Sequence, residues 1–148
     1  MPNKELLVKI RRETGLSVME ISKALKEANN DETKARELLR QRGAEVMSKK
    51  QERAVKAGLI DAYSHNGRIG VLVELQCETD FVARNGDFKE FAHDLSLQVS
   101  AMNPATVDEL LEQPYIKDES QTINQLLTNL TAKMGEKIVI ARFARYEA

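Results

Sequence analysis

Four polar side chains lie close enough in the sequence to suggest acid–base chemistry. A general acid–base site needs a proton donor and an acceptor at a fixed distance, usually with a third group that orients them. No ordered Ser/His/Asp arrangement and no glycine-rich phosphate loop accompanies these residues. The sequence therefore predicts no catalytic residue, and we expect a protein that is not an enzyme. The four residues are Glu78, Asp80, Arg84 and His93.

Residues that could bind a metal ion are few and scattered. A single cysteine, Cys77, excludes an intrachain disulfide and a multi-cysteine zinc site, and it fits a reducing compartment. The two histidines, His65 and His93, are far apart in the sequence. We therefore expect neither a bound metal nor a cofactor.

The aromatic residue Phe81 stands between charged residues, where a strand runs out and before a helix begins. A loop there gives Phe81 no obvious core of its own, so the side chain would be offered to a partner. The alternative is structural, because an apolar residue just before a helix often packs on its first turns as a hydrophobic staple. Residue types alone leave both interpretations open.

The segment that contains Phe81 resembles a known family signature. Residues 79–85, Thr-Asp-Phe-Val-Ala-Arg-Asn, are similar to the T-D-F-V-A-[RK]-[ND] motif of the bacterial elongation factor Ts family. Members of that family are guanine-nucleotide exchange factors for the GTPase elongation factor Tu. The resemblance covers nearly the whole chain, including Arg11-Arg12-Glu13-Thr14-Gly15, Gly70-Val71-Leu72-Val73-Glu74 and Gly135-Glu136-Lys137-Ile138.

The resemblance implies how the GTPase would be contacted. Asp80 and Phe81 would press into its nucleotide domain near the magnesium site, and the segment Thr79, Asp80, Phe81, Val82 would displace Mg²⁺ so that GDP leaves. A wedge that fits only a magnesium-poor GTPase must lower nucleotide affinity by linkage. Ser22 stands where the family usually has lysine, so one charged contact is expected to be weaker. The remaining implied partner contacts are Arg11, Val18, Met19 and Lys23.

Helical periodicity separates Met19 from the apolar side of its own helix. At about 100° per residue, Met19 falls nearly opposite the apolar stripe, and Val18 lies at the margin of that stripe. An exposed methionine is either a scattered surface hydrophobe or an adaptable partner contact. The stripe consists of Ile21, Ala24, Leu25 and Ala28.

Capping patterns predict three short helices in residues 1–43. Ser17 and Glu20 have capping-box spacing ahead of the second helix, and Gly43 is placed to end the third. Such a unit resembles the ubiquitin-associated fold, which the family resemblance also implies. Residues 44–56, with charged side chains dominating the stretch 49–53, are predicted to be a polar helical connector.

Residues 57–148 are predicted to form the core, or dimerisation, domain. Leu59–Ser64 and Arg68–Gln76 have the pattern of a hairpin around a type I′ turn at Asn66-Gly67. Two amphipathic helices should then precede a closing strand at Ile138–Tyr146. The order β-β-α-α-β predicts an α+β fold, a small sandwich with a three-stranded antiparallel sheet.

Composition limits the class of protein. A chain of 148 residues with 42% hydrophobic content can bury a core, but it has room for little more than one main domain and a small module. No apolar run reaches the ~18 residues of a membrane span, and the first five residues lack the apolar stretch of a secretory signal. We expect a soluble, cytoplasmic protein that does not bind membranes.

Charge is distributed unevenly along the chain. Residues 1–56 carry 14 Lys/Arg against 9 Asp/Glu, and residues 57–148 carry 8 against 14. A basic half invites a nucleic-acid interpretation. However, its positive charges alternate with acidic ones, and Phe and Tyr are absent from that half. We therefore expect no direct contact with nucleic acid.

The length of the chain suggests a homodimer. Longer members of the family carry a second core subdomain, a coiled-coil insertion and a C-terminal module, for which no space remains. Short members supply the missing half through a second copy, so a homodimer is implied by analogy. The apolar strands Arg68–Gln76 and Ile138–Tyr146 are expected to form sheet edges that need pairing. Ala141 stands where many relatives have arginine, which alters the expected surface.

Three functions remain open at this point. The leading one is a translation elongation factor that acts by nucleotide exchange. The second is an adaptor of the ubiquitin-associated type, which would keep its binding after deletion of residues 57–148. The third is a nucleic-acid binder, whose affinity would fall steeply with salt.

Overall fold

Three helices form the N-terminal module of the chain. The structure is a computed structural model that describes residues 1–50 and 53–148. Ser17 and Glu20 form the predicted capping box, and Gly15 ends the first helix in the left-handed conformation. The helices are α1 (Lys4–Thr14), α2 (Val18–Glu27) and α3 (Glu32–Lys50). Their buried cluster contains Ile10, Leu16, Ile21, Ala24, Leu25, Ala28, Ala35 and Leu39.

The prediction that Gly43 ends the third helix is wrong, since α3 continues to Lys50. Gly43 is buried, and a Cβ atom added to it would lie 3.1 Å from Cγ2 of Thr128. Glycine within a helix costs about 1 kcal/mol relative to alanine, so here it serves the close approach of another element. Within the predicted connector, α3 covers residues 44–50. Residues 51 and 52 lie outside the described residues, and residues 53–56 are not helical.

A three-stranded antiparallel sheet forms one layer of the core, as predicted. Asn66 and Gly67 both have positive φ, and the Arg68 N–H donates to the His65 carbonyl, which closes the predicted hairpin turn. The strands are β1 (Ala57–His65), β2 (Ile69–Cys77) and a closing strand at Val139–Glu147, with β2 in the centre. The expectation that the second strand forms an edge is therefore wrong, because the closing strand pairs with it along its length.

The other layer consists of helices packed on one face of the sheet. The short elements α4 (Asp80–Ala83), α6 (Val107–Glu112), β3 (Pro114–Tyr115) and β4 (Asp118–Thr122) were missed in the β-β-α-α-β prediction, because so few residues carry little periodicity. The long helices are α5 (Gly86–Met102) and α7 (Ile123–Met134), and the closing strand is β5. The predicted alternation in β2 is confirmed, since Val71, Val73 and Leu75 are buried against this layer.

Helix α7 packs on both the core and the module. Its core side buries Ile123 and Leu127. On another side Ala132 packs against the buried cluster of the module, close to the Gly43–Thr128 approach. A Cβ atom on Gly15 would also lie 2.8 Å from Nζ of Lys133, so both glycines mark contacts with α7. We infer that α7 determines where the module lies.

Candidate functional site

The turn after β2 exposes three adjacent residues, Thr79, Asp80 and Phe81, and buries the next two. Thr79 is the N-cap of α4, and its side-chain oxygen accepts from the N–H of Val82. The side chain of Phe81 is 84% exposed, and Asp80 is also exposed. Val82 and Ala83 are buried in the core. The staple interpretation of Phe81 is therefore wrong, and this large aromatic side chain points into solvent.

Glu136, which lies between α7 and β5, holds the turn by hydrogen bonds. Its Oε1 accepts from the backbone N–H groups of Glu78 (3.2 Å) and Thr79 (3.0 Å), and its Oε2 accepts from the Thr79 hydroxyl (2.7 Å). In the reverse direction, Oε2 of Glu78 accepts from the N–H of Lys137 at 2.6 Å. We call this pair of reciprocal carboxylate contacts the Glu136–Glu78 clasp. It joins the end of β2 to the start of β5.

The surroundings of the clasp include one basic side chain and one buried thiol. Nη1 of Arg53 lies 3.7 Å from Oε2 of Glu78, which places a positive charge beside this carboxylate. The Sγ of Cys77 donates to the Thr79 carbonyl at 3.2 Å. Burial raises the pKa of the Cys77 thiol, and the negative charge of Glu136 raises that pKa further. The thiol therefore stays protonated at neutral pH and serves as part of the packing.

The N-terminal module presents a second group of predicted contacts on α1 and α2. Met19 is 83% exposed and Val18 is 40% exposed, whereas Ile21 on the same helix is fully buried. The predicted separation of Met19 from the packed stripe is therefore confirmed. Arg11 and Lys23 are also exposed. The surface offers a soft apolar side chain together with basic ones.

His93, one of the four residues considered for acid–base chemistry, contacts β1 and not the turn. Nδ1 of His93 lies 3.3 Å from Oδ2 of Asp61, which also accepts from the Ser96 hydroxyl at 2.7 Å. The ring of Tyr63 contacts the His93 ring with centroids 5.9 Å apart, and its hydroxyl lies 2.9 Å from Nδ1 of His65. The two histidines, distant in sequence, thus meet the same tyrosine. Within residues 1–50 and 53–148 no three His, Cys, Asp or Glu side chains are grouped to hold a metal ion.

The outward face of the sheet carries exposed apolar side chains. Ile60 is 58% exposed, Leu72 is 52% exposed and Tyr146 is 79% exposed. Cross-strand pairing sets Leu72 between Ala62 on β1 and Ala144 on β5. We call these five residues the outer sheet face. Such a group on one surface is typical of a protein–protein contact.

Sequence reasoning missed Glu136 as part of the site. Its partners lie 57 and 58 residues upstream, so no local pattern joins them. The available signal was the resemblance of the Gly-Glu-Lys-Ile segment at 135–138, which indicated a closing strand but no contact. As for membranes, no helix among the described residues combines the length and apolarity needed to cross a bilayer.

Comparison with known proteins places this geometry in context. A family model described as Elongation factor TS matches residues 78–148, the segment that contains both the turn and Glu136. A protein named Elongation factor Ts from Thermotoga maritima is 39% identical over 187 positions, which cover 97% of this chain and 94% of that protein. One of the same name from Oleidesulfovibrio alaskensis is 37% identical, covering 96% and 95%.

The relatives differ in length. A protein named Elongation factor Ts from Clostridium kluyveri is 42% identical over 142 residues, which are 95% of this chain but 46% of that protein. The chain thus spans about half the length of this relative and nearly all of the Thermotoga one.

Proposed function

Because this chain belongs to the elongation factor Ts family, we propose that it is a translation elongation factor that binds elongation factor Tu in its GDP form and promotes GDP release. The observation that carries the proposal is the turn after β2, where Phe81 is 84% exposed and the nearby Thr79 is hydrogen-bonded to the distant Glu136. An exposed aromatic side chain on a turn that is itself hydrogen-bonded to the core is suited to enter a pocket on a partner. As a translation factor, the protein would act in the cytoplasm.

The proposed mechanism is differential binding by a wedge. Phe81 and Asp80 fit the nucleotide domain of the GTPase only when its magnesium site is disturbed, and the segment Thr79 to Val82 displaces Mg²⁺ as one unit. Binding that favours the nucleotide-free state must weaken GDP binding by the same factor, and GDP must weaken binding of the wedge equally. Val82 is buried and would anchor the unit. No covalent bond forms or breaks, so the role is that of an exchange factor and not of an enzyme.

The module would provide a second contact with the same GTPase. Met19, with Val18 beside it, offers an apolar contact, and Arg11 and Lys23 offer positive charge. Charged groups at the rim of an interface mainly accelerate association. In functional terms we propose a module at 1–43, a connector at 44–56 and a core domain at 57–148.

We also propose that two copies pair through the outer sheet face. Apolar side chains on an open sheet are best covered by a like surface, and a twofold pairing of the same face is self-complementary. Leu72→Glu should convert a dimer into a monomer in sedimentation experiments, because it places a charge at the centre of the contact. Val8→Glu is the matched control, since Val8 is 52% exposed on α1. A wild-type monomer at tens of micromolar would refute the pairing.

The decisive experiment is release of labelled GDP from purified elongation factor Tu. We expect release to accelerate with the concentration of this protein and to saturate, without consumption of GDP. Phe81→Ala should reduce the acceleration by roughly tenfold to a hundredfold. If release stays at its spontaneous rate at tens of micromolar, the proposed function is wrong.

A further inference from the structure

We propose that Glu136 is a positioning residue for Phe81, which it orients from a distance through the clasp; the proposal rests on the proposed function. Glu136 follows Gly135, the left-handed C-cap of α7, and precedes β5. Its carboxylate meets the end of β2, 57 residues away in sequence. Three hydrogen bonds from two consecutive residues converge on this one carboxylate.

The orientation is transmitted through the Thr79 hydroxyl. That hydroxyl donates to Oε2 of Glu136 at 2.7 Å and accepts from the N–H of Val82 at 3.4 Å. The donation fixes the hydroxyl hydrogen and leaves the oxygen lone pairs directed at α4. The bond to Glu136 therefore favours the Thr79 rotamer that caps α4. Loss of the carboxylate would release both the rotamer and the cap.

Helix α4 depends on such support because of its length. It has four residues, Asp80–Ala83, and a helix this short does not persist in water by itself. Val82 and Ala83 anchor one side of it in the core. The exposed side with Phe81 lacks such burial, so the cap sets the backbone from which that ring projects.

The second arm of the clasp explains why the support comes from β5. Oε2 of Glu78 accepts from the Lys137 N–H at 2.6 Å, so the chain segments around residues 78 and 137 hold each other reciprocally. Pairing of β5 with β2 delivers Glu136 to this place. Arg53 beside Glu78 offsets the negative charge that two adjacent carboxylates bring together. The turn is therefore fixed only in the complete core.

A wedge that must enter its pocket in one orientation loses efficiency when it is allowed to move. Glu136→Ala should reduce GDP release by roughly tenfold, because the orientation must then be acquired on binding. The rate of GDP release with Glu136→Gln should lie between those of the wild type and Glu136→Ala. The single amide oxygen of glutamine can accept from the backbone, but its NH₂ cannot accept from Thr79. The control is Glu112→Ala, since Glu112 is an exposed carboxylate at the end of α6. This variant should accelerate GDP release as much as the wild type does.

A double-mutant cycle with Phe81→Ala separates positioning from a general structural effect. If Glu136 acts through Phe81, then Glu136→Ala should change GDP release by less than about twofold when Phe81 is already alanine. An equal loss in both backgrounds would overturn the proposal, because the effect would not pass through the ring.

Hydrogen exchange tests the clasp without the GTPase. In Glu136→Ala the amide hydrogens of Glu78, Thr79 and Val82 should exchange faster, while those of β2 should keep their protection. Unchanged exchange at these three amides would overturn the positioning role even if GDP release worked. If the wild-type protein does not accelerate GDP release from the GTPase, the proposed function is wrong. Hydrogen exchange alone then decides whether Glu136 fixes the turn.

Discussion

Met19 in the module and Phe81 in the core are exposed to nearly the same extent, 83% and 84%, but they are held in different ways. Met19 lies in the first turn of the ten-residue helix α2, whose opposite side is buried in a local cluster. Phe81 lies in the four-residue helix α4, whose cap depends on Glu136. The first orientation follows from helical periodicity, and the second follows from contacts between distant segments.

This difference teaches where each contact is vulnerable. The buried cluster that orients Met19 consists of module residues, with Ala132 of α7 packed against it, so damage to the turn after β2 should leave Met19 in place. The orientation of Phe81 requires β2, β5 and the end of α7 together. The two contacts should therefore respond to different substitutions, and five experiments test this contrast.

The largest effect is expected from Ile21→Asp. Ile21 is fully buried, and an unpaired charge at that position should destabilise the module by about 4 kcal/mol or more. Circular dichroism should show loss of helix, and hydrogen exchange should show loss of protection in residues 1–43 with the core intact. Met19→Asp is the matched control, two positions away and exposed. Equal melting temperatures for the two variants would contradict the assignment of faces.

Phe81→Ala should reverse that pattern. We expect the free energy of unfolding to change by less than about 1 kcal/mol, because the ring is exposed. At the interface the loss should be about 1 to 3 kcal/mol, or roughly tenfold to a hundredfold in GDP release. Chemical denaturation and release kinetics on the same sample measure both quantities. Asp80→Ala should share the kinetic defect. A folded variant with undiminished release would refute the wedge.

Gly43→Leu tests whether the two regions are joined at α7. A side chain at Gly43 would meet Thr128, so the module must shift or the core must yield, at a cost of about 1 to 3 kcal/mol. Small-angle scattering should report a more extended particle if the module detaches. Gln41→Leu is the control, exposed on the same helix. Unchanged scattering and stability in Gly43→Leu would show that the contact is loose.

Met19→Asp should weaken the affinity for the GTPase by about 1 kcal/mol, which is roughly fivefold, because a charge replaces one apolar contact among several. Titration calorimetry measures the dissociation constant directly. Met102→Asp at the end of α5 is the control, because Met102 is also an exposed methionine and is not among the expected contacts. If both variants weaken binding equally, the effect arises from charge and not from the position of Met19.

The smallest effect is a dependence of module stability on acid. Hydrogen bonds from Lys9 and then Arg36 hold the pKa of Glu32 below its ordinary value. A carboxyl group with a lowered folded-state pKa contributes stability at pH values above its unfolded pKa, which is about 4 for glutamate. This contribution is lost as the pH falls through the folded-state pKa. Glu32→Gln should flatten this part of the pH profile of module unfolding. An identical profile would show that the pairs contribute nothing.

Local patterns predicted the elements that depend on neighbouring residues. The capping box of Ser17 and Glu20 joins positions three apart, and the positive φ angles of Asn66 and Gly67 close a hairpin between adjacent strands. The alternation in β2 and the stripe of α2 likewise follow from backbone periods of 2 and 3.6 residues. The resemblance of residues 79–85 singled out Phe81, but the residue types left its exposure undecided.

By itself, then, the amino-acid sequence determined the first two helices of the module, the hairpin and the place of the signature, because these follow from torsional preferences and side-chain periodicity over a few residues. Only the tertiary structure decided that Gly43 packs closely against α7 and that β2 is the central strand. It also decided that Glu136 accepts a hydrogen bond from Thr79, the residue that caps the turn of Phe81. Those contacts join residues tens of positions apart. They form only when the chain closes on itself, since no local periodicity specifies which distant segments will meet.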